Sequence, residues 1–309
     1  MAPAEDDTVR LKLPGEGPAR RGLIGGLALL ALLGLLGGGV WYGAGGPGED
    51  ARPAPAATPA PPQPMVRVVA EAELLALLPE QPSLYRLREN PQVFVLLFPD
   101  LARQGEALNR AAALIEKAGL PRDRLLDATE LAAAIARSGD TPATWYLGHD
   151  YRSADLARFF ALAERDRVAL NEAELWLRDQ FALAAAAAGP GPFAMVSAAA
   201  PGPQMDMPMR MAVLRHEIGH GHYFTLPGLA GHVQAVWRNG FTEAERGAFR
   251  GFLGREGYDA GNEELMANEA MAYLLFTPDP RLFGPAQVGL APATLVRLRE
   301  LLRVGLTLP

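Results

Sequence analysis

The apolar positions of this 309-residue chain fall into three regimes. From Gly22 to Gly48 there is no charged residue, and Leu23 to Tyr42 is a nearly unbroken run of Leu, Ala and Gly that closes on Trp41 and Tyr42. Residues 43–64, GAGGPGEDARPAPAATPAPPQP, are Gly, Pro and Ala with few large apolar side chains. From Met65 onward, apolar residues recur mostly with the spacing of one helix face, interrupted by short continuous runs.

Each regime predicts a different element. About 20 apolar residues suffice to cross the hydrocarbon core as a helix, and aromatic residues favour its interface. Arg20 and Arg21 stand before the run, and the nearest charges beyond it are Glu49 and Asp50. Residues 1–21 are therefore expected to be a cytoplasmic tail, 22–42 a transmembrane helix, and the rest to lie on the far side of a bacterial inner membrane. The alternative for this run is a cleaved export signal, with the Arg pair as its twin arginine. Residues 43–64 predict an extended, semi-stiff tether.

Within 65–200 the runs QVFVLLFP (92–99) and PFAMVSAA (192–199) predict buried strands, and TWYLGHDY (144–151) a short strand or loop. Helical spacing covers the segments between them: Leu101, Leu108, Ala112 and Ile115 share one face, DATELAAAIARSG reads as helix, and Ser153 reads as the N-cap of another. Residues 201–309 read as helical throughout. Asp206 and Pro208 open one helix, which a loop at Pro227–Gly228 ends, and NEELMANEAMAYLLF (262–276) forms a later one. The expected fold is mainly α with a small β-sheet, an α+β part followed by a helical part.

Composition narrows the function classes. With 49% hydrophobic and 21% charged residues the chain can form a core. A net charge of −6 argues against nucleic acid as a partner, because phosphate binding needs a basic surface. No cysteine is present, so any metal must sit on His, Asp or Glu.

Three of the five histidines lie in RHEIGHGHYFT: His216, His220 and His222. Residues i and i+4 stack on one helix face, so His216 and His220 can converge on one ion, with Glu217 bordering that face. This is H-E-x-x-H, the pattern of two zinc ligands and a carboxylate placed to take a proton from water at the metal. His222 faces another way and is expected to be a supporting or surface residue. A hydrolytic site needs a third protein ligand and an open position. His149, His232, Asp259, Glu263, Glu264 and Glu269 are available. Glu263 and Glu264 are accounted for as acids in a helix first turn. Glu269 lies on the apolar stripe of Leu265, Met266, Ala272, Tyr273 and Phe276, where a carboxylate is costly unless paired or metal-bound. For stabilising an oxyanion, Tyr273 lies one turn past Glu269; Tyr223, Tyr258 and the cluster His149-Asp150-Tyr151 are other candidates. The strand at 192–199 is a candidate edge for binding a peptide.

HEIGH (216–220) followed by NEAMA (268–272) resembles the gluzincin group of zinc metallopeptidases. The resemblance implies a zincin-like domain with His216, His220 and Glu269 as Zn²⁺ ligands and Glu217 as general base. It also implies a peptide or protein substrate, here one of the cell envelope. The competing expectation is a non-catalytic zinc-binding interaction or sensor module; a retained Glu217 favours the enzyme, because a structural site needs no base.

Overall fold

The computed structural model describes residues 65–309 apart from 118, 257 and 307. The expected tail, transmembrane helix and tether over 1–64 lie outside the described residues. Among the described residues no helix is long and apolar enough to cross a membrane. The chain runs β1 (Arg67–Val69), α1 (Glu71–Ala76), β2 (Ser83–Leu87), β3 (Val93–Phe98), α2 (Leu101–Ile115), α3 (Ala128–Arg137), β4 (Gly148–Arg152), α4 (Ser153–Arg165), α5 (Glu172–Ala188), β5 (Ala194–Ala199) and α6 (Met207–Thr225). Helices α7 (Leu229–Asn239), α8 (Glu243–Glu256), α9 (Glu263–Phe276), α10 (Pro285–Val288) and α11 (Pro292–Arg303) follow. The protein is thus mainly helical with a small mixed sheet.

The five strands lie in the order β1-β2-β3-β5-β4. β1 is parallel to β2, β2 antiparallel to β3, β3 parallel to β5, and β4 antiparallel to β5. Every residue of VFVLLF in β3 is buried, because both faces of the sheet are covered. Phe94, Leu96 and Phe98 face a core built with α2, α4 and α5, while Val93, Val95 and Leu97 face α1 and α6. β5 is likewise buried throughout and paired on both sides. It therefore cannot offer a peptide-binding edge, contrary to the expectation from PFAMVSAA; the sheet's edge strands are β1 and β4, of which β4 lies beside β5. β1 and β2 were not legible as strands, being short and only partly buried.

Local chemistry sets the helix starts. Asp206 caps α6 by accepting the Met209 N–H at 2.9 Å, and Asn262 caps α9 by accepting the Leu265 N–H at 3.2 Å. Asp127 and Glu130 form a capping box on α3. Ser153 is not a cap: it is the first residue of α4, and its hydroxyl accepts the Phe193 N–H at 3.3 Å, tying the helix start to the chain entering β5.

Helix α6 is the hub. Its first half joins the core beneath the sheet through Met209, Ala212 and Val213, and Leu214 and Ile218 join the opposite core with β3 and β5. Its last turns join a third core, with Tyr223 packed among α7, α8, α9 and α11. The parts on either side of residue 200 accordingly belong to one compact unit.

Candidate metal centre

Two helices set the floor of the site. Gly219 of α6 has no Cβ, and one built there would stand 2.6 Å from the Phe276 ring. The missing atom lets α9 lie directly against α6 and carries Glu269 up to the two histidines. There His216 Nε2 and His220 Nε2 are 3.0 Å apart, and each is 3.6 Å from a Glu269 carboxylate oxygen. All three side chains are buried, at 3%, 1% and 3% exposure. Tetrahedral coordination at about 2.1 Å would set ligand atoms roughly 3.4 Å apart, and the observed separations bracket that value. Glu269 Oε2 has no hydrogen-bond partner among the described residues. A buried carboxylate oxygen left unpaired is costly, so the donor set fits a cation such as Zn²⁺.

The tautomer of His216 is set by a residue the sequence did not single out. The Thr277 hydroxyl donates to the Ala272 carbonyl at 3.0 Å, which uses its single proton. It therefore accepts from His216 Nδ1–H at 2.8 Å, leaving the Nε2 lone pair aimed at Glu269 and His220. Burial holds His216 down to about 4, so the ring is neutral near pH 7. Burial pushes Glu269 up to about 7, against the pull of His220 and of the Tyr258 hydroxyl that hydrogen-bonds it.

Glu217 borders the floor from the other side. It is buried, and its Oε2 has no hydrogen-bond partner among the described residues. Burial first, and then the charges of Asp150, Glu269 and Glu116, push its carboxyl well above the usual range. Its seat depends on Gly148 of β4, where a Cβ would meet Glu217 Oε1 at 2.3 Å. Asp150, also on β4, hydrogen-bonds Glu217, and its Oδ2 is 3.9 Å from His220 Nε2. The cleft above these groups encloses 280 Å³, with Gly148, Asp150 and Arg152 of the edge strand along its rim.

The other third-ligand candidates have different partners. Glu263 accepts from Trp237 Nε1 at 2.7 Å and Arg250 Nε at 2.8 Å. Glu264 pairs with Arg152 at 2.8 Å. His232 reaches the Leu302 carbonyl at 3.1 Å, His149 reaches Ser197 Oγ at 3.1 Å, and Asp259 accepts the Gly261 N–H at 2.9 Å. His222 is buried and lies 3.0 Å from Asn90 Nδ2, which also donates to Thr225 Oγ1. It thus fastens the end of α6 to the chain before β3.

Tyr273 does not occupy the place expected of a catalytic group. It is fully buried and packs edge-on behind His216, ring centroids 4.7 Å apart, among Phe252 and Phe283. One turn along α9 from Glu269 points into the third core rather than the cleft. The phenols on the cleft are Tyr146, Tyr223 and Tyr258, and of these Tyr258 touches Glu269.

Comparison with protein-family models, curated proteins and solved structures gave no match for this chain.

Proposed function

We propose that the protein is a zinc-dependent peptidase, of gluzincin-like design, acting on peptides or proteins of the cell envelope from a membrane-tethered position. The observation that carries this reading is the convergence of His216, His220 and Glu269 at the floor of a cleft, with Glu217 beside them and its Oε2 without a hydrogen-bond partner among the described residues. His216 and His220 through Nε2, and Glu269 through its carboxylate, would hold the ion. Bound there, zinc supplies Lewis acidity toward a peptide carbonyl and toward water.

The chain's own residues do the rest. Glu217 accepts a proton from the attacking water at Oε2 and delivers it to the leaving amine nitrogen. Burial raises its pKa, which makes the ionised carboxylate a stronger base than an exposed one. Gly148 and Asp150 hold the carboxylate in place. The Tyr258 hydroxyl lines the cleft and, turned from its bond to Glu269, can donate to a developing oxyanion. β4 pairs with β5 on one side only, so its outer edge can take an extended substrate strand across the cleft.

The test is Glu217→Gln, which keeps size and hydrogen bonding but removes the base. The variant should retain fold and zinc while losing about a hundredfold or more of peptide hydrolysis, measured on a degenerate peptide library with a chelator control. Undiminished cleavage by the variant would refute the role of Glu217. A wild type that binds zinc yet cleaves no peptide pool would favour the sensor module instead.

A further inference from the structure

One wall of the cleft carries more carboxylates than holding a metal and seating Glu217 require, for of its three only Asp150 hydrogen-bonds Glu217. Glu116 directly follows α2, Asp150 lies on β4, and Asp155 is in the first turn of α4; all three line the cleft. Each is close enough for Glu116 to feel the charges of both the others. Chain topology brings these carboxylates together from three separate elements, so helix-start chemistry explains only Asp155, which accepts the Arg152 N–H.

The same cleft is lined by Tyr146, 6% exposed, its hydroxyl without a hydrogen-bond partner among the described residues. Glu116 Oε1 is also enclosed and unpartnered. The two arginines on the cleft are engaged elsewhere. Arg152 pairs with Glu264 and lies over the Phe224 ring, 4.7 Å from its centroid, while Arg122 donates to the Leu114 carbonyl at 2.7 Å. Arg122 remains near enough for its charge to act on Tyr146, but among the described residues it forms no ion pair with Glu116. Glu116 Oε1 and the Tyr146 hydroxyl, enclosed without a hydrogen-bond partner among the described residues on a wall that also carries Asp150 and Asp155, call for a donor that arrives with the ligand in this 280 Å³ cleft. An alkylammonium carries three N–H donors and a guanidinium five, enough to reach several of these acceptors at once. A second metal ion suits the wall less well, because among the described residues the metal-like group that includes Asp150 is completed by Glu217 and His220, both already part of the metal centre.

We infer that Glu116, Asp150, Asp155 and Tyr146 form a cation subsite beside the metal centre, which takes an ammonium or guanidinium group of the substrate and selects peptides with a positive charge next to the scissile bond. This rests on the peptidase reading above. Two sources share the chemistry: the α-ammonium of a peptide N-terminus, and a Lys or Arg side chain.

The test uses the zinc-loaded full chain and two readouts. In the first, matched peptides carry a free or acetylated N-terminus, and Lys or norleucine at each position, and cleavage is followed by mass spectrometry. Cationic peptides should be cleaved with kcat/KM about tenfold or more above neutral ones, the scale of one well-placed charge pair. That advantage should collapse in Glu116→Gln and Asp155→Asn, and shrink in Tyr146→Phe, with zinc content unchanged. Loss on acetylation assigns the α-ammonium; loss on changing Lys to norleucine assigns the side chain. Equal cleavage of cationic and neutral peptides overturns the subsite and leaves the peptidase standing. The second readout needs no cleavage: n-butylammonium should bind at least about tenfold more tightly than n-butanol, observed by NMR shifts, and Glu116→Gln should abolish the difference. No preference for the cation, or a second zinc equivalent that displaces butylammonium, overturns the subsite even if no peptide is ever cut.

Discussion

At the scale of single residues, Thr277 shows how much a site owes to a group that would not itself hold an ion. Its hydroxyl uses its proton on the Ala272 carbonyl and so can only accept from His216 Nδ1–H. Thr277→Val keeps the shape and removes the acceptor, freeing the ring to adopt the wrong tautomer or turn. Zinc affinity should fall about tenfold or more, with Thr277→Ser close to wild type; competition with a coloured chelator reads both. Equal affinity in Val and wild type would show that packing against Tyr273 alone orients the ring. Of the groups that shape this site, His216, Glu217, His220 and Glu269 are visible in sequence, because i,i+4 spacing and an acid on an apolar stripe are local signals. Thr277 and Gly148 are not, since each acts on a partner more than 60 residues away in the chain.

At the scale of elements, the start of α6 is held by two arginines, Arg210 within the helix and Arg281 far along the chain. Arg281 grips the capping Asp206 through two bonds of 2.7 and 2.8 Å and also pairs with Asp279, linking the chain after α9 to the start of α6. Arg210 is fully buried and donates to the carbonyls of Leu74, Leu75 and Leu77, where α1 ends, and to Ala199 at the end of β5. Carbonyls at a helix C-terminus lack intrahelical donors and carry partial negative charge. One guanidinium thus satisfies α1 and aligns α6 beneath the sheet. Arg210→Met keeps the bulk but strands several buried acceptors, and should destabilise the protein by about 3 kcal/mol, measured by urea unfolding. A loss below about 1 kcal/mol would mean that water replaces the guanidinium.

At the scale of the whole molecule, buried histidines and buried carboxyls pull stability in opposite directions with pH. Burial holds His149 down to about 3 and His216 and His222 to about 4. Their contribution is complete above the ordinary value of 6.5 and is lost as pH falls through those folded values. Glu269 is raised from 4.5 to about 7, and Glu116 and Glu217 are raised well above 4.5. Their contribution is complete below 4.5 and is lost as pH rises, through about 7 for Glu269. The two sets offset each other between 4.5 and 6.5. Above that window the three carboxyls go on losing stability, opposed by the single buried Lys117, which burial holds down to about 7 and which gains stability as pH rises from there toward 10.5. The carboxyls outnumber it, so the metal-free chain should unfold at lower urea at pH 8 than at pH 5.5. Excess zinc should reverse the order, because the ion favours ionised Glu269 and binds only the folded chain. A chelated chain that is more stable at pH 8 would contradict the raised carboxyls.

The sequence by itself determined the periodic and the local: the α+β class, the buried runs that became β3 and β5, the caps Asp206 and Asn262, and the H-E-x-x-H face of α6. These follow from burial patterns and from contacts within a few residues, which the chain carries wherever it folds. Only the tertiary structure decided which strand is the edge, because pairing order depends on crossovers and not on the composition of any one strand; β5 lies inside and β4 outside. It also decided that Tyr273 packs in the third core while Tyr258 lines the cleft, since the neighbours that cover a residue are settled only by packing. The wall of Glu116, Tyr146, Asp150 and Asp155 is of the same kind. Its members come from α2's end, the approach to β4, β4 itself and α4, and nothing short of the folded sheet with its helices brings their charges together.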